Sequence, residues 1–370
     1  MTLDDLALAL TPSLGVKGIR HLLACFGSAE AVFAASEADL RRAGQLREPA
    51  LRSLLGRAGF RAAEHEAAHA ARHGLKIVAQ TDIEYPPLMR EMNDNPHILY
   101  IEGAAEALHG PCLSLVGTRE ASPYGERVCD RLIRDLAARI PDLVVVSGLA
   151  FGIDSICHRA ALAYGLRTVA VVASALPDIT PAQHAGLARD IVAAGGAVVS
   201  ELPSSTRQNG SYYVARNRII AGLSEGTVVV ESPASGGALV TANCADSYNR
   251  VVMAVPGRIG DRTAWGTNAL IRNRKAQMIL SAEDIIRELM WDLRPETAPE
   301  RPQPQAEPLP LTDDEARLLA CFRSDDPMTA AELAAASGFD AGALSALLVG
   351  LELAGAVRQL PGNRYETWNR

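Results

Sequence analysis

The sequence predicts an α/β fold: a doubly wound, mostly parallel sheet flanked by a helical N-terminal domain and a small C-terminal domain. Three patterns lead to this prediction. Short β-branched runs alternate with helical stretches across residues 76–291, helical periodicity precedes them, and a proline-rich tract follows them. With 370 residues and 48% hydrophobic content, the chain is long and apolar enough for two to three domains.

Residues 1–75 have apolar side chains at spacings of three and four, interrupted by glycines, which predicts a small helical domain. The stretch 14–36 has the form of a helix–hairpin–helix in which a turn at Gly15–Gly18 joins two helices. Backbone N–H groups of such a turn can hold a phosphate. A plain helical bundle with glycine turns explains the pattern equally well.

Residues 76–291 contain eight short runs that are apolar on both faces. Such runs are typical of parallel strands covered by helices on both sides, and their alternation with helices indicates a Rossmann-like, doubly wound domain. The predicted strands are 76–80, 98–102, 112–117, 143–148, 168–174, 197–201, 227–232 and 251–257.

Residues 292–310 are predicted to be an extended linker, because 294–310 contains six prolines and no periodicity. Residues 311–370 then show three helical stretches and a hairpin, the pattern of a winged helix. Thr329 and Asp340 are predicted helix N-caps, and 361–363 is the predicted hairpin turn.

The net charge of −7 argues, for the chain as a whole, against a nucleic-acid binder. The charge is unevenly distributed, however. Residues 291–370 carry 7 basic and 13 acidic side chains, whereas 76–290 carry 20 and 22. The stretch 340–357, where a winged helix has its recognition helix, contains two acids and no base. We therefore predict an interaction or autoregulatory role for this domain, not DNA reading.

The six cysteines are scattered and form no C-x-x-C pair, which predicts free thiols in a reducing cytosol and neither a disulfide framework nor a cysteine zinc site. The first ten residues carry two aspartates and no base, and no apolar run approaches 18 residues. We expect a cytoplasmic protein without membrane contact.

Four loops that follow predicted strands are rich in glycine, serine and arginine, and each leads into a helix. Ligands of such sheets bind at the carboxyl ends of the strands, where small residues and helix N-termini favour anions. One such loop is weak support, but several on one edge predict a phosphate-bearing ligand. The fourth loop contains 256–257 and 266–268, and the predicted site residues of the other three are Gly117, Thr118, Arg119, Ser147, Gly148, Ser235, Gly236 and Gly237.

The stretch 213–218 places an aromatic ring, two arginines and an asparagine at a helix start. This combination fits a base-stacking platform beside phosphate clamps, although a solvated amphipathic helix start is the alternative. A second basic cluster, 272–275, fits a solvated helix end at least as well. The site residues predicted from the two stretches are Tyr213, Arg216, Asn217, Arg218 and Lys275.

Several motifs are absent: G-x-G-x-x-G, the P-loop and G-x-S-x-G do not occur, which argues against standard dinucleotide binders, P-loop ATPases and nucleophile-elbow hydrolases. His65–His69 matches H-E-x-x-H, but the extended metalloprotease pattern has glycine and histidine where Arg72 and Leu75 stand. We expect an alanine-rich surface helix and no metal.

Ser147, Asp154 and His158 suggest a catalytic triad by residue type alone. The simpler interpretation is that Asp154 accepts backbone N–H groups at a helix start, while His158 packs or bonds locally. We therefore assign no catalytic residue to this group.

The central domain closely resembles the DprA or Smf family of DNA-processing proteins. The resemblance covers nearly the whole α/β domain in the family's order, and the N-terminal domain resembles that family's sterile-alpha-motif-like module. The matching tracts are YPPLMREMNDNPHILYIEG (85–103), VGTREASPYG (116–125), VVSGLAFGIDSICHRAAL (145–162), ARNRIIAGLSEGTVVVESPASGGALVTA (215–242) and AVPGRIGDRTAWGTNALI (254–271).

This resemblance implies a non-enzymatic protein without cofactor that binds and protects incoming single-stranded DNA during natural transformation. It also implies a homodimer that helps load the recombinase RecA. The predicted site residues other than Tyr213 and Lys275 match the family's phosphate-gripping positions, and Tyr213 stands where the family has a phenylalanine, which keeps a stacking face. Val214 replaces a proline, Lys275 replaces a glycine, and residues 175–181 depart from the family's G-L-D-x-x-Y-P.

A nucleotide-processing enzyme of the same α/β type is the alternative. Phosphoribohydrolases that resemble lysine decarboxylases carry a P-G-G-x-G-T-x-x-E loop. The corresponding stretch here, 234–241, has no glutamate at its end to act as the acid, which favours binding over hydrolysis.

Overall fold

The computed structural model describes residues 1–291, 311–322, 327–354, 356–360 and 363–367. The chain divides into two compact units, 1–298 and 299–370, each described by itself below. The predicted linker and the first two residues of the predicted hairpin turn lie outside the described residues. The predicted domain boundaries stay a prediction.

The first unit is built on a nine-stranded sheet of order β1-β2-β6-β5-β4-β3-β7-β8-β9. All eight predicted strands are present, and β9 is an additional, exposed two-residue strand. The sheet is parallel except for β2, which runs antiparallel to both its neighbours. The strands are β1 (Lys76–Ala79), β2 (Ile98–Gly103), β3 (Cys112–Val116), β4 (Val144–Ser147), β5 (Arg167–Val171), β6 (Ala197–Ser200), β7 (Gly226–Val229), β8 (Val251–Ala254) and β9 (Gln277–Met278).

Helices cover both faces of this sheet. The helices of the first unit are α1 (Leu3–Ala9), α2 (Val16–Phe26), α3 (Ala29–Ala34), α4 (Glu37–Ala43), α5 (Glu48–Leu55), α6 (Phe60–His73), α7 (Pro87–Arg90), α8 (Pro123–Arg139), α9 (Ile153–Ala163), α10 (Ala185–Ala193), α11 (Ser211–Leu223), α12 (Gly237–Ser247), α13 (Trp265–Arg272) and α14 (Ala282–Glu288). Helices α8, α9 and α14 pack on one face, and α11 and α12 pack on the other. This two-sided cover explains why the strands are apolar throughout.

The chain reverses its winding direction around β3. From β3 it winds outward through β4, β5 and β6, and α11 then carries it back to β7 on the other side of β3. The loops after β3, β4 and β7 therefore diverge from one another. Such a switch point opens a crevice at the carboxyl ends of the strands, where ligands of these sheets bind.

The N-terminal segment is helical, as predicted, but the turn predicted at Gly15–Gly18 lies elsewhere in the structure. Gly15 is the N-cap of α2, and Val16–Gly18 form the first turn of that helix rather than a loop between two helices. Helices α2–α5 surround a small core of their own. Leu6 of α1 and Ala70 of α6 instead join the core beneath the sheet edge.

The second unit has the predicted winged-helix pattern, with a three-stranded sheet of order β10-β12-β11. Its elements are α15 (Asp313–Leu319), β10 (Met328–Thr329), α16 (Ala330–Ser337), α17 (Ala341–Leu353), β11 (Val357–Leu360) and β12 (Arg364–Thr367). Thr329 and Asp340 cap α16 and α17, as predicted. Leu318, Leu333 and Leu348 lie in its core.

In the part of the chain that the structure describes, no single helix is long and apolar enough to cross a bilayer. Helices α16 and α17 reach that length and composition only as a pair, with a bend of 107° between them.

His158 is fully buried on α9, where its Nδ1 lies 2.6 Å from the Thr168 hydroxyl oxygen. That hydroxyl donates its own hydrogen to the Val145 carbonyl, so Nδ1 carries a proton and donates to Thr168. Burial, reinforced by the charge of Arg216, lowers the pKa of His158 to about 3. The imidazole is therefore neutral in the folded protein.

We predict that this neutral histidine makes folding acid-sensitive. Because the folded pKa lies below the unfolded value of about 6.5, the unfolded chain binds the extra proton first, and stability is lost as the pH falls below 6.5. The free energy of unfolding of wild type relative to His158→Gln should fall by up to about 1.4 kcal/mol per pH unit. Urea titrations at pH 7, 6 and 5 measure this difference, and a constant difference would contradict the prediction.

Candidate functional site

A cavity of about 410 Å³ opens at the switch point of the sheet. The loops that follow β3, β4 and β7 form its floor and walls, and the first turns of α11 and α12 complete them. Eight of the thirteen predicted site residues line this cavity: Gly117, Thr118, Arg119, Tyr213, Arg216, Asn217, Gly236 and Gly237.

The other five predicted residues do not line the cavity. Ser147 is buried and donates to the Leu115 carbonyl at 2.6 Å, and the Gly148 carbonyl accepts a hydrogen bond from Arg216. Arg218 forms an ion pair with Glu201. Ser235 and Lys275 are exposed, on the loop before α12 and after α13. Of these five residues, Ser147 and Gly148 hold the loops of the cavity through hydrogen bonds without lining it.

Arg119 and Tyr213 form the mouth of the cavity. The guanidinium carbon of Arg119 lies 5.2 Å from the centroid of the Tyr213 ring, within the range of a cation–π contact. Arg119 is exposed and Tyr213 is half-buried, and no described residue forms an ion pair with Arg119. The rim therefore presents a positive charge and an aromatic face side by side.

Arg216 is buried, with 5% of its surface exposed. Its Nη1 donates to the Gly148 carbonyl at 2.6 Å and to the Val171 carbonyl, so one side chain ties together the loops after β4 and β5. Burial lowers its pKa to about 10, which still leaves it charged at neutral pH. A Cβ on Gly148 would lie 2.3 Å from Nη1, so only glycine fits beside this guanidinium.

Asp154 lies in the first turn of α9 and reaches the cavity from below. Burial raises the pKa of its carboxyl, while the charge of Arg216, the N–H groups of Ala150 and Gly148 and the Ser147 hydroxyl oppose that shift. The two N–H groups agree with the interpretation of Asp154 as an acceptor at a helix start. Since His158 donates to Thr168 and bonds to neither Ser147 nor Asp154, the three residues do not form a triad.

Glu231, directly after β7, supports the site and was not singled out from the sequence. Its buried carboxylate accepts from the Ser122 N–H at 2.9 Å, the Ser122 hydroxyl at 2.5 Å and the Thr263 hydroxyl at 3.2 Å. Its carbonyl accepts from the Thr118 N–H at 2.8 Å. Glu231 thus holds the loops after β3 and β8. Its only sequence signal is an acid at the end of an apolar run.

Arg218 is committed to an internal ion pair on the far side of α11. Its partner Glu201 follows β6, and the two side chains are 14% and 17% exposed. Burial raises the pKa of Glu201, and the charge of Arg218 opposes this shift. The predicted role of Arg218 as a phosphate clamp stays a prediction.

The H-E-x-x-H stretch lies on α6 and forms hydrogen bonds with two loops that follow strands of the sheet. Glu66 accepts from the backbone N–H of Ser204 at 2.9 Å and from its hydroxyl, and His69 Nε2 donates to the Leu176 carbonyl at 3.0 Å. Among the described residues, no cluster of three or more potential metal ligands occurs. The prediction of a surface helix was wrong in one respect, because Glu66 is buried.

The divergent loop 175–181 does not line the cavity. Leu176 is buried, and its carbonyl accepts from His69, so part of the loop faces the N-terminal helices. Its departure from the family pattern therefore leaves the residues around the cavity unchanged.

We predict that Glu231→Ala destabilises the protein, because three donors lose their buried acceptor. Loss of one hydrogen bond to a charged group costs about 1.5–3 kcal/mol, and we expect a decrease of at least that size. Chemical denaturation measures it. Ser235→Ala, an exposed change in the loop that follows Glu231, is the matched control. Equal stability of Glu231→Ala and wild type would show that the carboxylate does not hold the site.

Comparison with known proteins shows the family. The model for DNA recombination-mediator protein A matches residues 76–290, and the DprA winged helix domain model matches residues 300–363. Protein Smf of Escherichia coli K12 is 37% identical over 284 residues, covering 75% of this chain and 74% of that protein. DNA processing protein DprA of Bacillus subtilis is 36% identical over 217 residues, covering 58% and 72%.

Two solved structures share the fold. The X-ray structure of DprA from Streptococcus pneumoniae superposes with a TM-score of 0.67 at 28% identity, covering 78% of this chain and 98% of that one. A structure of DprA from Helicobacter pylori, which concerns the single-stranded DNA binding mode of that protein, gives 0.52 at 27% identity, covering 59% and 97%.

Proposed function

The chain belongs to the DprA/Smf family of DNA-processing proteins, and we propose that it binds single-stranded DNA in the cavity at the switch point of its sheet. The observation that carries this proposal is the pairing of Arg119 with Tyr213 at the mouth of a glycine-lined cavity. A base stacks on an aromatic face, and an adjacent guanidinium neutralises a phosphate.

The cavity wall favours binding of the DNA backbone without sequence preference. Gly236 and Gly237 begin α12, whose first N–H groups can receive an anion. The Asn217 amide, the side chain there best suited to reading a base edge, donates to the Gly237 carbonyl at 3.3 Å. The polar groups of the wall thus suit phosphates and sugars more than particular bases.

We propose that the protein acts without catalysis. The loop 234–241 has no glutamate in the position of a phosphoribohydrolase acid. Among the described residues, two carboxylates line the cavity, the buried Asp154 beside Arg216 and the exposed Glu120, and Glu231 behind the wall accepts hydrogen bonds from Ser122. Release of free base from nucleoside monophosphates incubated with the protein would support the enzyme instead.

Family membership alone supports four further parts of this proposal. We propose that the protein works in the cytoplasm as a homodimer, and that it protects incoming DNA during natural transformation and helps load RecA onto it. Sedimentation analysis tests the dimer. Strand-exchange assays with RecA, with and without this protein, test the loading.

We predict that Arg119→Ala weakens single-stranded DNA binding and lowers its salt dependence. Removing one phosphate contact should reduce the slope of log affinity against log salt concentration by about 0.7. Tyr213→Ala should cost about 1–3 kcal/mol whatever the base, while Tyr213→Phe keeps the stacking face. Fluorescence anisotropy across a salt series, with single-stranded and duplex DNA, measures both effects.

Arg131→Ala is the matched control, because it removes the same charge from an exposed position on α8 outside the cavity. We expect it to leave the affinity unchanged. Unaltered binding by Arg119→Ala at physiological salt would contradict the site assignment.

We predict that the second unit does not bind duplex DNA. Its longest helix, α17, has no basic residue, and Arg358 on β11 pairs with Glu366 at 3.0 Å. Since the unit has its own hydrophobic core, residues 299–370 can be tested alone by anisotropy with a labelled duplex. Tight binding by this fragment would show that the winged helix reads DNA.

A further inference from the structure

The exposed aromatic side chains are concentrated on one edge of the sheet. Among the residues that the structure describes, three phenylalanine, tyrosine or tryptophan side chains are more than a third exposed: Tyr124 at 42%, Phe151 at 46% and Trp265 at 48%. All three lie on segments that follow the carboxyl ends of strands. Tyr124 follows β3, Phe151 follows β4, and Trp265 follows β8.

These positions flank the cavity on both sides. In the order β4-β3-β7-β8, Phe151 lies at one end and Trp265 at the other, with the mouth residue Tyr213 between them on α11. Adjacent strands are about 4.8 Å apart, so the strand ends that carry the two outer rings are separated by about 14 Å. That span exceeds one nucleotide.

Local contacts fix the segments that carry the rings. The Phe151 ring packs against the ring of His184, and the two ring centroids lie 4.8 Å apart. The Tyr124 hydroxyl donates to the Pro256 carbonyl at 3.0 Å. The residue after Trp265, Gly266, donates its N–H to the Ser232 carbonyl at 2.8 Å. Each segment that carries an exposed ring is therefore held in place by a contact with a neighbouring segment.

The charges between the rings indicate the chemistry of the ligand. Arg119 lies beside Tyr213, and the exposed Arg262 precedes Trp265 by three residues. The exposed acids Glu120 and Asp261 are their neighbours in sequence, but neither arginine has an ion-pair partner among the described residues. The N-terminus of α12 opens into the cavity between them. A protein partner is typically met by a continuous apolar patch, whereas separate rings alternating with cations suit a chain of bases and phosphates.

We propose that the DNA site extends along this edge beyond the cavity, with Phe151 on one side and Tyr124 and Trp265 on the other as stacking platforms for flanking bases. The proposal rests on the proposed function and adds the length of single-stranded DNA that the site contacts. The cavity holds the central nucleotides, and the outer rings receive bases only from strands long enough to reach them.

The test compares oligothymidylates of about 3 to 15 nucleotides on the full chain by anisotropy. Loss of one stacking platform costs about five-fold or more in affinity. We expect Phe151→Ala and Trp265→Ala each to show this loss with the longer strands and none with the shortest. Phe151→Tyr and Trp265→Tyr keep an aromatic face and should bind as the wild type does.

Ile259→Ala is the matched control. Ile259 is aliphatic, 93% exposed and six residues before Trp265 in the same connection, so its loss removes apolar surface without removing a ring. We expect unchanged affinity. A loss equal to that of Trp265→Ala would mean that apolar area, not stacking, is recognised, and would overturn the proposal.

Tryptophan emission gives a second readout. Stacking of a base on Trp265 should quench its fluorescence, whereas Trp291 is buried, and the third tryptophan, Trp368, is replaced by phenylalanine in all the proteins compared. Trp265→Tyr should therefore lose the quenching that long strands cause while retaining affinity. Quenching that persists in Trp265→Tyr would overturn the assignment of this platform.

The outcomes separate the two proposals. If Arg119→Ala weakens binding while the Phe151 and Trp265 variants bind normally at every length, the extended path is wrong and the cavity assignment stands. If the wild type binds no strand of any length, the proposed function fails and this inference fails with it.

Discussion

The edge of the sheet depends on one buried charge. Arg216 carries its guanidinium beneath the cavity, and burying a charge without partners would be strongly unfavourable. Hydrogen bonds to the carbonyls of Gly148 and Val171, with Asp154 nearby, offset that cost. Because the same residue belongs to α11, these contacts also fix Tyr213 and Asn217 above the end of β3. The loops, the helix and the cavity between them therefore form one arrangement.

Sequence patterns predicted what depends on local composition. Strands buried on both faces produce apolar runs, so all eight predicted strands are present, but β9 is too short and exposed to leave such a signal. Glycine-rich loops predicted the edge at which the cavity opens. The sequence did not predict that Arg119 is exposed, Arg216 buried and Arg218 paired with Glu201, because tertiary packing decides the environment of each guanidinium. Glu231 was missed for the same reason: its partner Ser122 lies 109 residues away.

The distribution of charge also limits what composition can say. The net charge of −7 describes the field of the whole chain at a distance, where salt screens it. Most of the excess acid belongs to residues 291–370, which form the end of the chain and not the cavity. For the proposed anionic ligand an arginine at the cavity matters more than the net charge, and Arg119 lines the cavity at its mouth.

The contact between Arg119 and Tyr213 has a consequence for the energetics of ligand binding. In the free protein the guanidinium lies over the ring and covers part of the surface that a base would use. A phosphate that attracts Arg119 away uncovers the ring in the same movement. Charge neutralisation and stacking are then thermodynamically coupled, so that removing both side chains should cost a different free energy from the two single losses combined. The mouth would respond to a nucleotide as a unit, with phosphate and base recognised together.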